Sequence, residues 1–203
     1  MSKRVYISAD YSEADGDREV VKELQKWGKD NLHKVDFIDM SQVASGSVSD
    51  DEDCRICDLK EEFNRQINAS SAVIFVVGNK TKSRTAGSEC DRINKEQSEC
   101  QCTPYKQNPN GKKACKISYT FTPGPEDNLG NINSISYLRH EFEQASKKNK
   151  TIIIVYNSQR KESTWLPTYM SDYEDKAHPF WTTNYKNEKV GDYSYIKEVL
   201  GFD

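Results

Sequence analysis

The sequence predicts an α/β domain, a parallel sheet with helices on both of its faces. Two observations lead there. Ser71 to Val77 and Ile152 to Val155 are continuous apolar runs of strand length, the first closed by Gly78, as strands covered on both faces require. Between such runs lie segments whose apolar residues recur three or four positions apart, the spacing of an amphipathic helix. Strands that alternate with helices build a parallel sheet.

Taken in order, Arg4 to Ala9 reads as a strand and Asp10 to Asp17 as a polar loop. Arg18 to Asp30 is helical in pattern, with Val20, Val21, Leu24 and Trp27 on one side. Val35 to Asp39 is a second strand, and the Ser/Gly/Asp-rich stretch Ala44 to Asp53 is loop. Ile56, Leu59, Phe63 and Ile67 mark a second amphipathic helix, followed by the Ser71 strand. A helix opening at Tyr137 carries the apolar stripe Leu138, Phe142 and Ala145, and a basic turn leads into the strand Thr151 to Tyr156. The aromatic-rich tail, Trp165 to Asp203, is expected to cap the sheet edge and to end in a short helix from Tyr193 to Leu200. The long polar stretch Ser88 to Ile135, with four cysteines and four prolines, breaks the rhythm. A structureless stretch of that length is uncommon inside one domain, so it reads as a functional loop, a small subdomain or a disordered insert. The chain is thus one domain over residues 1–203, with an insertion at 88–135 and a C-terminal extension at 165–203.

Composition narrows the function classes. Of 203 residues 35% are apolar and 30% charged, and mean hydropathy is −0.88, which gives a modest core and long solvated loops. The net charge of −3, without a long basic tract, offers no nucleic-acid footprint. No apolar stretch approaches a membrane span, and the N-terminus lacks the apolar core of a secretory signal, so the expected location is cytoplasmic. Six cysteines there are reduced thiols or metal ligands rather than a disulfide framework.

The candidate chemistry is uneven. Cys54 and Cys57 form a C-x-x-C, but the surrounding acidic residues disfavour thiolate. A structural zinc needs four ligands, which Cys90, Cys100, Cys102 and Cys115 supply alone or two of them together with Cys54 and Cys57; free thiols are the competing reading, and no metal ligand is assigned. Gly78 to Thr81 follows a strand, yet neither the phosphate-loop pattern nor G-x-G-x-x-G is present. Lys80, Ser83 and Arg84 read either as an ordinary polar loop or as phosphate contacts. His33, His140 and His178 are scattered, and His140 is expected to be exposed. A Ser-His-Asp hydrolase lacks its G-x-S-x-G elbow. Glu141 lies roughly 60° off the apolar stripe at about 100° per residue, on the margin of the core, where the environment of a carboxylate can be tuned. Its bland alternative is an exposed helix glutamate.

An ordered set of short motifs goes further. It runs Lys3-Arg4-Val5-Tyr6-Ile7-Ser8 with Tyr11, then Asp15 and Arg18, then Phe37-Ile38-Asp39. It continues with Val76-Val77-Gly78, Thr81 and Ser83-Arg84, then Leu138-Arg139-His140-Glu141, Lys150 and Pro179-Phe180. The set resembles the TIR-like domains of bacterial antiphage systems, in particular the TIR-like sensor subunit of Thoeris defence, over nearly the whole chain outside residues 88–135. The resemblance implies a flavodoxin-like sheet that takes NAD as substrate in the crevice beyond the strand ends. It implies cleavage of the nicotinamide–ribose bond, with Glu141 as catalytic carboxylate, and a cyclic or conjugated ADP-ribose signal read by a downstream effector. Ser8, Ala9, Asp10 and Tyr11, with Asp39, Ser83 and Arg84, fall at the strand ends that would bind the nucleotide. Assembly into a homo-oligomer on activation and a phage protein as trigger follow from the same likeness, with no role for nucleic acid or membrane. Two features depart from the family: about fifty residues separate Arg84 from Leu138, and His140 stands where the family has an aromatic beside the glutamate. A non-catalytic TIR-like scaffold that binds a nucleotide or a partner protein is the competing class.

Overall fold

The structure, a computed structural model, describes residues 3–10, 17–29, 35–39, 52–84 and 136–202. Five parallel strands form the main sheet: β1 (Lys3–Ser8), β2 (Val35–Ile38), β3 (Ala72–Val77), β4 (Thr151–Tyr156) and β5 (His178–Pro179). Their order is β2-β1-β3-β4-β5. This is the flavodoxin-like order, in which the chain reverses its direction of travel between β1 and β3 and leaves a crevice outside their carboxyl ends. In register, Tyr6 lies beside Val73 and Ser8 beside Phe75, while β3 and β4 pair along their full length from Ala72 with Thr151 to Val77 with Tyr156.

The apolar runs explain the layering. Every residue of β3 is buried, and the alternation of side chains divides each strand between two cores. On one face Val5, Ile7, Ile74, Val76, Ile153 and Val155 meet Val20, Val21 and Leu24 of α1 (Asp17–Gly28). The same core takes Ile196 and Leu200 of the C-terminal helix α4 (Tyr193–Leu200). On the other face Tyr6, Val73, Phe75, Val77, Ile154 and Tyr156 meet Phe63 and Ile67 of α2 (Glu52–Ala69) and Phe142 and Ala145 of α3 (Tyr137–Lys147). Phe142 touches Phe75, Tyr169 and Tyr173 edge-on or tilted, with centroids 5.5–5.6 Å apart.

Helix α3 is well bounded. The Ser136 hydroxyl caps it by accepting the Arg139 amide at 3.1 Å. It ends in a Schellman pattern: Asn149 adopts φ 50°, its amide reaches Ser146 O, and the Lys150 amide reaches Ala145 O. The Lys150 ammonium then donates to Asn68 O and Ser70 O, closing the carbonyl end of α2 at 2.9 and 2.6 Å.

The tail caps the sheet as expected, with more structure than periodicity shows. β5 is an edge strand of two residues that tolerates Pro179. A hairpin of β6 (Trp181–Thr183) and β7 (Lys189–Gly191) follows, and α4 spans the predicted Tyr193 to Leu200. The side chains of Cys54 and Cys57, and all of residues 88–135 with Cys90, Cys100, Cys102 and Cys115, lie outside the described residues. Among the described residues no helix is long and apolar enough to cross a membrane.

Candidate active site

Glu141 is the organising side chain. It is 3% exposed and sits on α3, on the sheet face that β1 presents to that helix. Tyr6 and Ser8 are two residues apart on β1 and therefore point to the same face. The Tyr6 hydroxyl donates to Oε1 of Glu141 and the Ser8 hydroxyl donates to Oε2, so both carboxyl oxygens are engaged from the carboxyl end of one strand. Burial pushes the Glu141 carboxyl up from 4.5 to about 7, and the bonds from Ser8 and Tyr6 pull it back part of the way. Its place is deeper than the core margin expected from the wheel, because strand β1 and helix α3 close over it from two directions.

His140 corrects the sequence expectation outright. It is 8% exposed, and its Nε2 lies 2.9 Å from Asn64 Oδ1 on α2. One turn on, Gln144 donates to Asn68 Oδ1 at 2.9 Å. The apolar stripe of α3 faces the sheet, while its adjoining polar face is covered by α2 through this two-rung ladder. A wheel that considers only the sheet leaves that second cover out.

A cavity of about 160 Å³ opens at the reversal between β1 and β3. Ala9 and Asp10 extend from β1 to form one wall; Thr81 and Arg84, after β3, form the second; Ser136, Tyr137 and Leu138 of the first turn of α3 form the third. Glu141 is not on the wall: it lies one turn behind Tyr137 and Leu138, with Ser8 immediately before Ala9. Arg84 and Asp10 are ion-paired across the cavity through Nε and Oδ2. Thr81 shapes the β3 side by accepting the Gly78 amide on its hydroxyl at 2.8 Å.

The strand ends are tied together on the opposite face as well. Asp17, 1% exposed, accepts from Asn157 Nδ2 at 3.0 Å, and Asn157 Oδ1 accepts from Trp181 Nε1 at 2.8 Å. Asp17 also presses on Gly78: a Cβ there would lie 2.7 Å from Asp17 Oδ1. The beginning of α1, the end of β3, the end of β4 and the tail are thereby fixed relative to one another.

The sequence candidates are therefore unevenly placed. Ala9, Asp10 and Arg84 line the cavity, and Ser8 holds Glu141. Asp39 is fully buried and accepts from Gln25 Nε2, away from the cavity wall. Ser83 is exposed and turns its hydroxyl to Lys80 O at 3.0 Å, so it does not line the cavity either. Tyr11 lies outside the described residues. Sequence reasoning passed over Tyr6 as a partner of Glu141, although its two-residue spacing from Ser8 signals a shared face. Thr81, Ser136 and Tyr137 were also passed over, and only Thr81 stood in the quoted motifs. Among the described residues no group of three or more His, Cys, Asp or Glu side chains is arranged to hold a metal ion.

Residues 6–89 match the family model of the TIR-like domain of the Thoeris protein ThsB. Over that segment the chain is similar to the ThsB TIR-like domain. The matched segment begins at Tyr6 within β1, carries β2 and β3 and runs past the Thr81–Arg84 wall, and this likeness connects the protein to antiphage defence. No curated protein matches the chain. Glu141 lies beyond the matched segment, and its place in the site is given by its bonds to Tyr6 and Ser8.

Proposed function

We propose that this TIR-like protein cleaves the nicotinamide–ribose bond of NAD and releases an ADP-ribose-derived signal in antiphage defence. The observation that carries the reading is Glu141, a buried carboxyl held by Tyr6 and Ser8 beside a cavity at the β1/β3 reversal. Ligands of such sheets bind at that reversal. A cavity of about 160 Å³ matches a single ring, since engineered voids of about 150 Å³ admit benzene. That is space for the reacting end of a dinucleotide, with the remainder extending past Arg84 into solvent.

The chemistry needs one carboxylate. Nicotinamide in NAD is a cationic pyridinium and leaves as a neutral base, so the acid of an ordinary glycosidase pair has no proton to supply. What remains is to stabilise the ribosyl cation, and an oriented, poorly hydrated carboxylate does this well. The Tyr6 and Ser8 hydroxyls fix its orientation, and ionisation near neutrality sets the pH at which it works. Because Tyr137 and Leu138 line the cavity and the buried Glu141 does not, we take productive binding to require the first turn of α3 to yield. Assembly of several copies, or a phage protein acting as trigger, is a fitting source of that change, and a downstream effector would read the product.

The test is incubation of the full chain with NAD, alone and in cells under phage challenge, with chromatographic detection of nicotinamide. Release that disappears in Glu141→Gln, with the fold intact by circular dichroism, is the expected result. Equal release from wild type and variant removes Glu141 from the mechanism. No release and no binding of NAD under either condition leaves the scaffold reading.

A further inference from the structure

We propose that Arg84 is the contact for the ligand's diphosphate and that Asp10 is an internal anion that this diphosphate displaces. The inference rests on the dinucleotide reading above and concerns how the ligand is admitted. Arg84 and Asp10 are the only charged side chains among the described residues of the cavity wall, and they are paired with each other. They come from different strands, Asp10 just beyond β1 and Arg84 beyond the turn after β3, so their pairing bridges the two sides of the opening.

The pair is poised to exchange. Its side chains are 33% and 17% exposed, so neither is sealed in the core, and ion pairs in such settings are worth little. A guanidinium binds phosphate oxygens through parallel charge-assisted bonds, and a diphosphate brings more negative charge to it than one carboxylate does. An incoming diphosphate therefore takes over Arg84, and Asp10, now facing like charge, is driven off it. Such an exchange gives the opening a selectivity of its own. A neutral nucleoside gains nothing by separating the pair, whereas a diphosphate replaces one anion with another and leaves Arg84 neutralised throughout.

The experiment is calorimetric titration of the full chain with ADP-ribose and, in parallel, with adenosine, at constant ionic strength. The variants are Asp10→Asn, Arg84→Gln and the double variant. Removing the competing anion is expected to tighten ADP-ribose binding about fivefold in Asp10→Asn while adenosine binding stays unchanged. Arg84→Gln weakens ADP-ribose binding, and the double variant loses the gain. Unchanged or weaker ADP-ribose binding in Asp10→Asn overturns the proposal, the latter by making Asp10 a direct ligand contact. A gain that persists without Arg84, or an equal gain for adenosine, overturns it too, as does absence of ADP-ribose binding in wild type and Asp10→Asn alike. The outcome is separable from that of the cleavage reading, because ADP-ribose has already lost nicotinamide. A protein that releases no nicotinamide but shows the Asp10/Arg84 exchange fails the first test and passes this one.

Discussion

Replacing Glu141 by glutamine should flatten the dependence of folding stability on pH. In the folded protein the Glu141 carboxyl holds its proton up to about pH 7, against an ordinary value of 4.5. The native state thus binds a proton more tightly than the unfolded chain. This contribution is complete below pH 4.5 and is lost as pH rises through about 7. Its full size is about 3 kcal/mol, most of which falls between pH 5 and pH 8. The amide that replaces the carboxyl carries no charge at any of these pH values and still offers an oxygen to Tyr6 or Ser8, so Glu141→Gln keeps the packing and lacks the titration. The measurement is urea unfolding of both proteins at intervals from pH 5 to pH 8. Every other titrating group is common to the two proteins, so the difference between the two curves, not the slope of either, isolates Glu141. Wild type should lose about 2–3 kcal/mol more than the variant across the range. Parallel curves would show that the carboxyl ionises freely in the folded state, and the account of a buried, tuned group would be wrong.

Other outcomes follow from the same geometry. Nicotinamide release should rise with pH through about 7, as the carboxyl ionises, and Ser8→Ala should move that midpoint upward because a bond favouring the charged form is gone. Tyr6→Phe should shift the midpoint in the same direction and lower stability by about 1–3 kcal/mol, the range for a buried polar group that loses its partner, as read by chemical denaturation. Phe142→Ala empties the contact with Phe75, Tyr169 and Tyr173 and should cost about 3–5 kcal/mol in the same assay. Gly78→Ala drives a methyl against the Asp17 carboxylate and should cost about 1–3 kcal/mol, while Asp17→Gly in that background should recover part of the loss.

The periodic elements were legible because their signals are local. The Val20–Leu24 stripe of α1 and the Leu138–Ala145 stripe of α3 each state which side is apolar and pack that side inward, and the unbroken β3 run states burial on both faces. β5, β6 and β7 have only two or three residues apiece, too few for a period to show. The site was half legible for a related reason. Motif order brought Ser8, Asp10, Arg84 and Glu141 into view, but nothing local says that the two hydroxyls of β1 converge on a residue of α3. The same blindness misplaced His140, whose burial depends on Asn64 across a helix pair. Nor does anything local show that Asp39 meets Gln25, which lies on a helix earlier in the chain.

The carboxyl group and its two hydroxyl partners are separated by 135 and 133 positions of chain, yet they meet inside one sheet layer. The two hydroxyls come from before residue 85 and the acid from after residue 135. Six matched rungs between the third and fourth strands join the halves. Severed between Arg84 and Ser136, the polypeptide would yield two fragments, each chemically mute, whose reunion along that seam would regenerate the centre.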